Sequence, residues 1–326
     1  MILDKFNRAH EYLRISLTDN CNLRCFYCMP EESYDFAPAS RLMQTDEILK
    51  LSEIFVAEGV KKIRLTGGEP LVRKDAGKII SLLSNLPVEL TLTTNGTRIH
   101  DYIHVLKDAN IKSLNISLDT LKADQFEKIT RRNQFQLVMD NINLLLSEGF
   151  IVKINIVVMN GLNDQEINDF IAWTKYVPVQ IRFIEFMPFT GNKWSSNQVF
   201  SRDQILDRIS QKYAFSPILG TIHDTAKGFS IAGHAGNFAI ISTMTNPFCE
   251  GCNRMRLTAD GKLKNCLFSK GETDLLTPLR NGEPILPLIH SNIQSKAKEL
   301  GGQFSNAIEK IEAITIENRS MITIGG

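Results

Sequence analysis

No run of apolar residues in this 326-residue chain is long enough to span a bilayer. Met1 to His10 hold Asp4, Lys5 and Arg8 and no apolar centre, so no secretory signal is expected there. Net charge is nearly missing as well. The chain has 37 Lys and Arg against 36 Asp and Glu, a balance of +1. That balance creates no general attraction to nucleic acid or to a membrane surface. Any anionic ligand must be held by basic side chains placed locally. There is no low-complexity tract. A cytoplasmic protein is expected, with neither membrane nor nucleic acid as partner. With 43% hydrophobic and 22% charged residues, the composition is that of an ordinary globular protein, long enough for one large domain or two modest ones.

Cysteine is scarce, and all of it is concentrated. Six residues fall into two sets, Cys21, Cys25, Cys28 and Cys249, Cys252, Cys266. Disulfides are not expected: the compartment is reducing, the chain is too large to need staples, and each set is odd. The first set has the spacing C-x3-C-x2-C and follows the alternating run Leu13 to Leu17. Three thiolates on a short loop can hold an iron–sulfur cluster but leave one ligand position open. Structural zinc normally takes four protein ligands, and the nearest histidine is His10, so an open cluster fits better. The second set, C-x2-C and one distant cysteine, suits zinc or iron equally when judged alone. Arg254 and Arg256 stand beside it at alternate positions, a pattern that suits phosphate.

Strands and helices alternate. Period-two runs lie at 13–17, 62–66, 88–93, 113–119, 151–158 and 179–186, with helical patterns between them. Thr45 is placed to cap the first helix, and a break is expected near Arg132. The alternation predicts a parallel α/β sheet. Each strand opposes an apolar face to a polar one, as Ile63 and Leu65 oppose Arg64 and Thr66. An open doubly wound sheet buries both faces and reads as continuous hydrophobics. A polar inner face instead predicts an incomplete (β/α)6 TIM-type barrel with a ligand-holding lumen. The sixth strand is less clean, and a bulge near Glu185 is expected. After Pro188 the alternation stops. The chain is therefore divided into a partial barrel, 1–190, and an α+β extension, 191–326, that caps the open side. Gly67-Gly68-Glu69-Pro70 ends the second strand, on the face where barrel sites lie, and its glycines would let backbone approach a small ligand.

The cysteine loop and the Gly67–Pro70 motif together resemble the radical S-adenosylmethionine (SAM) superfamily. Further segments narrow the resemblance to the GTP 3′,8-cyclase family, which opens molybdenum cofactor biosynthesis. These are Leu13–Pro30, Thr93–Gly96, Phe183–Pro188, Phe248–Arg256, Cys266–Phe268 and the Gly325-Gly326 end. The resemblance implies two [4Fe–4S] clusters, on Cys21, Cys25, Cys28 and on Cys249, Cys252, Cys266. It implies SAM contacts at Tyr27, Gly68, Ser117 and Met187. It implies GTP contacts at Arg14, Arg64, Thr93, Lys153, Arg254, Met255 and Arg256. Arg14, Gly325 and Gly326 become catalytic candidates, the tail reaching into the active site. The implied reaction joins ribose C3′ of GTP to guanine C8 through a deoxyadenosyl radical. A one-electron reductant, a following pathway enzyme that takes the product, and a homodimer are also implied. Arg14, Arg64, Thr93, Ser117 and Lys153 all fall on the polar strand face already inferred from alternation. Two other readings stay open: a radical enzyme that modifies a peptide, and an iron–sulfur electron carrier or sensor.

Overall fold

Six parallel strands, each returned by a helical connection, form the centre of the computed structural model. It describes residues 1–31, 34, 36–304, 309, 311, 312 and 315–325. The strands are β1 (Tyr12–Ser16), β2 (Lys62–Thr66), β3 (Glu89–Thr94), β4 (Ser113–Ser117), β5 (Ile151–Val158) and β6 (Gln180–Glu185). Around them run α1 (Thr45–Ala57), α2 (Ala76–Leu83), α3 (Ile99–Asp108), α4 (Ala123–Thr130), α5 (Phe135–Ser147) and α6 (Ile167–Trp173). The expected break between α4 and α5 is present, with Arg131 left-handed at φ 56°. Thr45 is not the cap of α1. Gln44 occupies that position, and the Thr45 hydroxyl donates instead to Asp75 Oδ2 at 2.5 Å.

Side-chain alternation explains why the sheet curls around a lumen. Leu13, Ile15, Ile63, Leu65, Leu92, Leu114, Ile116, Val152 and Ile154 are fully buried against the helices. Each such burial contributes about 1.5–3 kcal/mol. The opposite face carries Arg14, Arg64, Asn115, Lys153 and Asn155 toward the interior. β6 keeps the same phase, alternating half-buried and buried residues in unbroken register with β5, so the expected bulge is not there. Glu185 points outward and is fully buried. It accepts from the backbone N–H of Arg202, Met244 and Thr245.

The C-terminal part does more than cap. It supplies α7 (Arg202–Ser210), β7 (Ser216–Pro217), β8 (Lys227–Ser230), β9 (Asn237–Ile241), β10 (Arg254–Leu257), β11 (Lys262–Lys264) and β12 (Thr273–Asp274). Then come α8 (Leu276–Arg280), α9 (Leu286–Gln294) and the short α10 (Met321–Ile324). β9 adds parallel to β6 and β10 adds parallel to β1, so one sheet runs β12-β11-β10-β1-β2-β3-β4-β5-β6-β9-β8-β7. It stays open: among the described residues β12 pairs only with β11 and β7 only with β8. Both edges of the six-stranded core are thereby covered, which removes unpaired strand edges. Among the described residues no helix is long and apolar enough to cross a membrane.

Candidate active site

All three cysteines of the first loop line one cavity of about 190 Å³, and all three of the second line another of about 550 Å³. Asn155, Ile184, Met187 and Met321 line both, so the two spaces adjoin within the lumen. All six thiols are free. Among the described residues no three His, Cys, Asp or Glu side chains converge on a point that one metal ion could occupy. A cubane places each thiolate on a different iron, so its ligands need not converge. The donor set of each triad therefore fits a cluster.

The two triads differ electrostatically. Burial pushes Cys21 up to about 11, helped by the Glu69 charge, and Cys25 and Cys28 are pushed up by burial and by neighbouring acidic groups. A bound cationic group would favour thiolates there. Cys252 is the reverse. Burial raises it, but Arg254 and Lys296 outweigh burial and hold it down to about 6. Arg254 Nη2 lies 3.2 Å from its sulfur.

The Gly67–Pro70 turn is locked to the first cysteine loop through main chain. Gly68 N donates to Thr18 O at 2.7 Å and Glu69 N to Asn20 O at 2.8 Å. A Cβ on Gly68 would lie 2.6 Å from Asp19 O and closer still to Asn20 O. The glycine is needed first for this backbone approach, and it also lines the smaller cavity. Gly68→Ala should cost about 1–3 kcal/mol of stability by overpacking, read as a lower thermal midpoint. An unchanged midpoint would mean that the turn gives way freely. Glu69, fully buried, accepts from Leu71 N, Thr94 Oγ1 and Asn95 N at 3.0, 2.7 and 2.6 Å. It thus ties this turn to Thr93–Gly96. Burial raises its carboxyl to about 7 despite those bonds.

Tyr27, Gly68, Ser117 and Met187 all line the smaller cavity with the first triad. The Tyr27 hydroxyl donates to Asp119 Oδ2 at 2.6 Å, and Asp119 Oδ1 accepts from Val157 N at 2.8 Å. Sequence reasoning gave Asp119 no role, since an acid at a strand end carries no motif by itself.

The larger cavity is strongly basic. Arg14, Lys62, Arg64, Lys153, Arg182, Arg254 and Arg256 line it, and Asp224 is the one carboxylate among its described lining residues. Strand register aligns three of these guanidinium groups: Arg256 pairs with Arg14, and Arg14 with Arg64. Adjacent strands lie about 4.8 Å apart, and like charges side by side repel. Burial first, then neighbouring cations, push Arg14 and Arg182 down to about 10 and Lys153 to about 8. In Arg14 the nearby Tyr12 opposes this shift. Tyr12 is itself drawn down to about 8, because Arg64 and Arg14 outweigh its burial. Such a lumen is built for a multiply charged anion.

The remaining candidates are placed as follows. Thr93 lines the smaller cavity, and its Oγ1 accepts from Arg64 Nη1 at 3.3 Å, so it stands at the border. Met255 does not face the lumen. Its side chain is fully buried in the core behind β10, leaving only its main chain to meet a ligand. Gly325 is buried, and its carbonyl accepts from Arg256 Nη1. Gly326 lies outside the described residues. Arg182 was not anticipated. Its signal was the polar phase of β6, obscured by the expected bulge.

Residues 15–174 match the radical SAM superfamily model, and residues 179–301 match the molybdenum cofactor synthesis C model. The mitochondrial GTP 3′,8-cyclase of Arabidopsis thaliana is 44% identical over 100% of this chain and 84% of its own length. The GTP 3′,8-cyclase of Peptoclostridium acidaminophilum is 41% identical over 100% of this chain and 98% of its own. The chain belongs to the GTP 3′,8-cyclase family. Another relative is the molybdenum cofactor biosynthesis protein 1 of Homo sapiens, 43% identical over 99% of this chain. The match spans only 51% of that longer protein. Two solved structures share the fold at 15% identity and a TM-score of 0.60. One is Streptococcus suis SuiB bound to SAM, with 97% of this chain and 74% of that one covered. The other is anSMEcpe with bound AdoMet, at 96% and 85%. Membership in the family brings SAM and an iron–sulfur cluster with it.

Proposed function

We propose that the chain converts GTP to (8S)-3′,8-cyclo-7,8-dihydroguanosine 5′-triphosphate, the first step of molybdenum cofactor biosynthesis. The observation that carries the reading is the adjoining pair of cavities. Each is lined by one three-thiol set, and seven basic side chains line the larger. Cys21, Cys25 and Cys28 would hold one [4Fe–4S] cluster, and Cys249, Cys252 and Cys266 a second. When bound and reduced with SAM, the first supplies a 5′-deoxyadenosyl radical. This chain's residues do the rest. Tyr27, Gly68, Ser117 and Met187 form the walls for SAM. Arg14, Arg64, Lys153, Arg182 and Arg256 bind the triphosphate and hold the ribose near the boundary between the cavities. Binding there is positioning, and it accounts for much of a cyclisation rate. The enclosing strands would shield the reacting atoms from side reactions. The reading carries a one-electron reductant, a following enzyme that takes the product, a homodimer and a cytoplasmic location.

The test is anaerobic reconstitution with iron, sulfide, SAM, reductant and GTP, followed by chromatography of nucleotides. 5′-Deoxyadenosine (below, deoxyadenosine) and the cyclised nucleotide together support the reading. Deoxyadenosine alone defeats the GTP assignment, and the absence of both defeats radical chemistry. Arg182→Met should weaken GTP binding about 10–100-fold, the worth of one charge-assisted hydrogen bond. Equilibrium dialysis measures this. An unchanged affinity would remove Arg182 from the phosphate site. A peptide substrate, the alternative within the same enzyme class, gives no account of so basic a cavity.

A further inference from the structure

Lys296, just past α9, is 2% exposed. Its ammonium has three close neighbours: His10 Nε2 at 2.8 Å, Arg254 O at 3.1 Å and Cys252 Sγ at 3.4 Å. An ammonium has three donors, and all three are used. The His10 tautomer follows from its other contact. Nδ1 lies 2.9 Å from Arg8 O, which only accepts, so Nδ1 carries the proton and Nε2 offers its lone pair to Lys296. Burial first, and then the Lys296 charge, hold this imidazole neutral, down to about 3.

A buried ammonium needs an anion, since an uncompensated charge costs several kcal/mol. The Asp4 carboxylate, 3.8 Å from His10 Nε2, is taken by Arg8 Nε at 2.6 Å and by the backbone N–H of Phe6 and Arg8. Of the three groups that touch Nζ, an imidazole, a carbonyl and a sulfur, only the sulfur can be anionic. Arg254 also reaches Cys252, but Arg254 lines the cavity and has a ligand to serve. Lys296 lines neither cavity. The surrounding segment is clamped as well. Arg8 donates to Cys249 O at 2.7 Å, Lys298 O at 2.8 Å and Ala297 O at 3.1 Å, and Leu300 N lies 3.5 Å from Cys249 Sγ.

We propose that Lys296 is a positioning residue for the second triad: its ammonium donates to the Cys252 sulfur, retains that thiolate as a cluster ligand and raises the reduction potential of the cluster. The proposal rests on the second-cluster reading. A positive charge and an N–H···S bond both favour the added electron on reduction. His10 is the fixed strut that aims the ammonium.

The test uses the full chain carrying Cys21→Ala, Cys25→Ala and Cys28→Ala, so that any cluster belongs to the second triad. It is reconstituted anaerobically with Lys296 intact, with Lys296→Met and with Lys296→Gln. Iron is assayed, its loss to a chelator is timed, and the potential is read by EPR-monitored titration. Lys296→Met should lose iron about 10–100-fold more readily, the usual range for outer-shell partners of metal ligands, and its potential should fall. Lys296→Gln, which keeps a donor without the charge, should fall between the two. It also serves if the methionine variant does not fold. Retained SAM cleavage by Lys296→Met in the chain with both triads shows that the fold is intact. Equal iron retention and equal potentials overturn the role of Lys296 and leave the second cluster standing. Absence of a cluster with Lys296 intact overturns both.

Discussion

Cys21→Ala is expected to abolish deoxyadenosine formation, whereas Cys266→Ala should preserve SAM cleavage and lose the cyclised product. Both residues are half-buried thiols on cavity walls, so their chemistry is alike and only their position separates the outcomes. Cys21 belongs to the small cavity with Tyr27, Gly68 and Ser117, and Asn95 Nδ2 reaches toward its sulfur at 3.8 Å. Removing it removes the radical source, and only the uncatalysed background is left. The loss should be on the order of 10⁶-fold or more, the low end of enzymatic rate enhancements. Cys266 belongs to the large cavity with the arginines. Removing it misplaces the substrate, a fault that costs about 10²-fold for an ångström of error, while SAM still breaks unproductively. Chromatography of deoxyadenosine and nucleotide product from the same reaction reads both. If Cys266→Ala cyclised GTP at the parent rate, the second triad would have no part in substrate handling.

The lumen was legible because strands have a period of two. Arg14, Arg64, Asn115 and Lys153 alternate with Leu, Ile and Val, and such a pattern admits one inside and one outside. Arg182 obeyed the same rule and was missed, because Glu185 was expected to disturb β6. That carboxylate is instead satisfied on the outer face by three backbone donors from α7 and the 244–245 turn. Partners so distant leave no local signal. The same reason hid the strands that join each edge of the barrel. β10 pairs with β1 across more than two hundred residues, and nothing in either segment announces the other. Met255 shows the opposite limit. A residue between two functional arginines on a strand must face away from them, so the alternation that found the arginines already excluded its side chain. The His10–Lys296 contact joins the two ends of the chain and was beyond any reading of motifs.

Gly325→Ala should reduce cyclisation about 10²-fold while leaving the fold intact. The tail is anchored some residues earlier. The guanidinium of Arg319 makes four hydrogen bonds to Asp260 and Glu272, at 2.6 to 2.8 Å. From that anchor α10 enters the lumen and buries Ile322 and Ile324. Gly325 follows at φ 85°, a conformation that costs a residue with a side chain about 1–3 kcal/mol. An added Cβ would also lie 2.6 Å from Thr66 Oγ1 and 3.0 Å from Ser16 Cβ, at the ends of β2 and β1. The Thr66 hydroxyl could turn aside, but Ser16 Cβ cannot retreat, because β1 and β2 are paired in the sheet. The tail must therefore lift, and its carbonyl then leaves Arg256, which lines the larger cavity in register with Arg14. A displaced Arg256 shifts the arginine row and with it the bound triphosphate, and a shift of about an ångström suffices for the stated loss. Because the Arg319 anchor holds the segment before Gly325 in place, the thermal midpoint should barely move. Product formation and thermal melting, measured on the same preparation, separate the two effects. Cyclisation at the parent rate would reduce the tail to a plug of the lumen, and a collapsed midpoint would make it a structural strut.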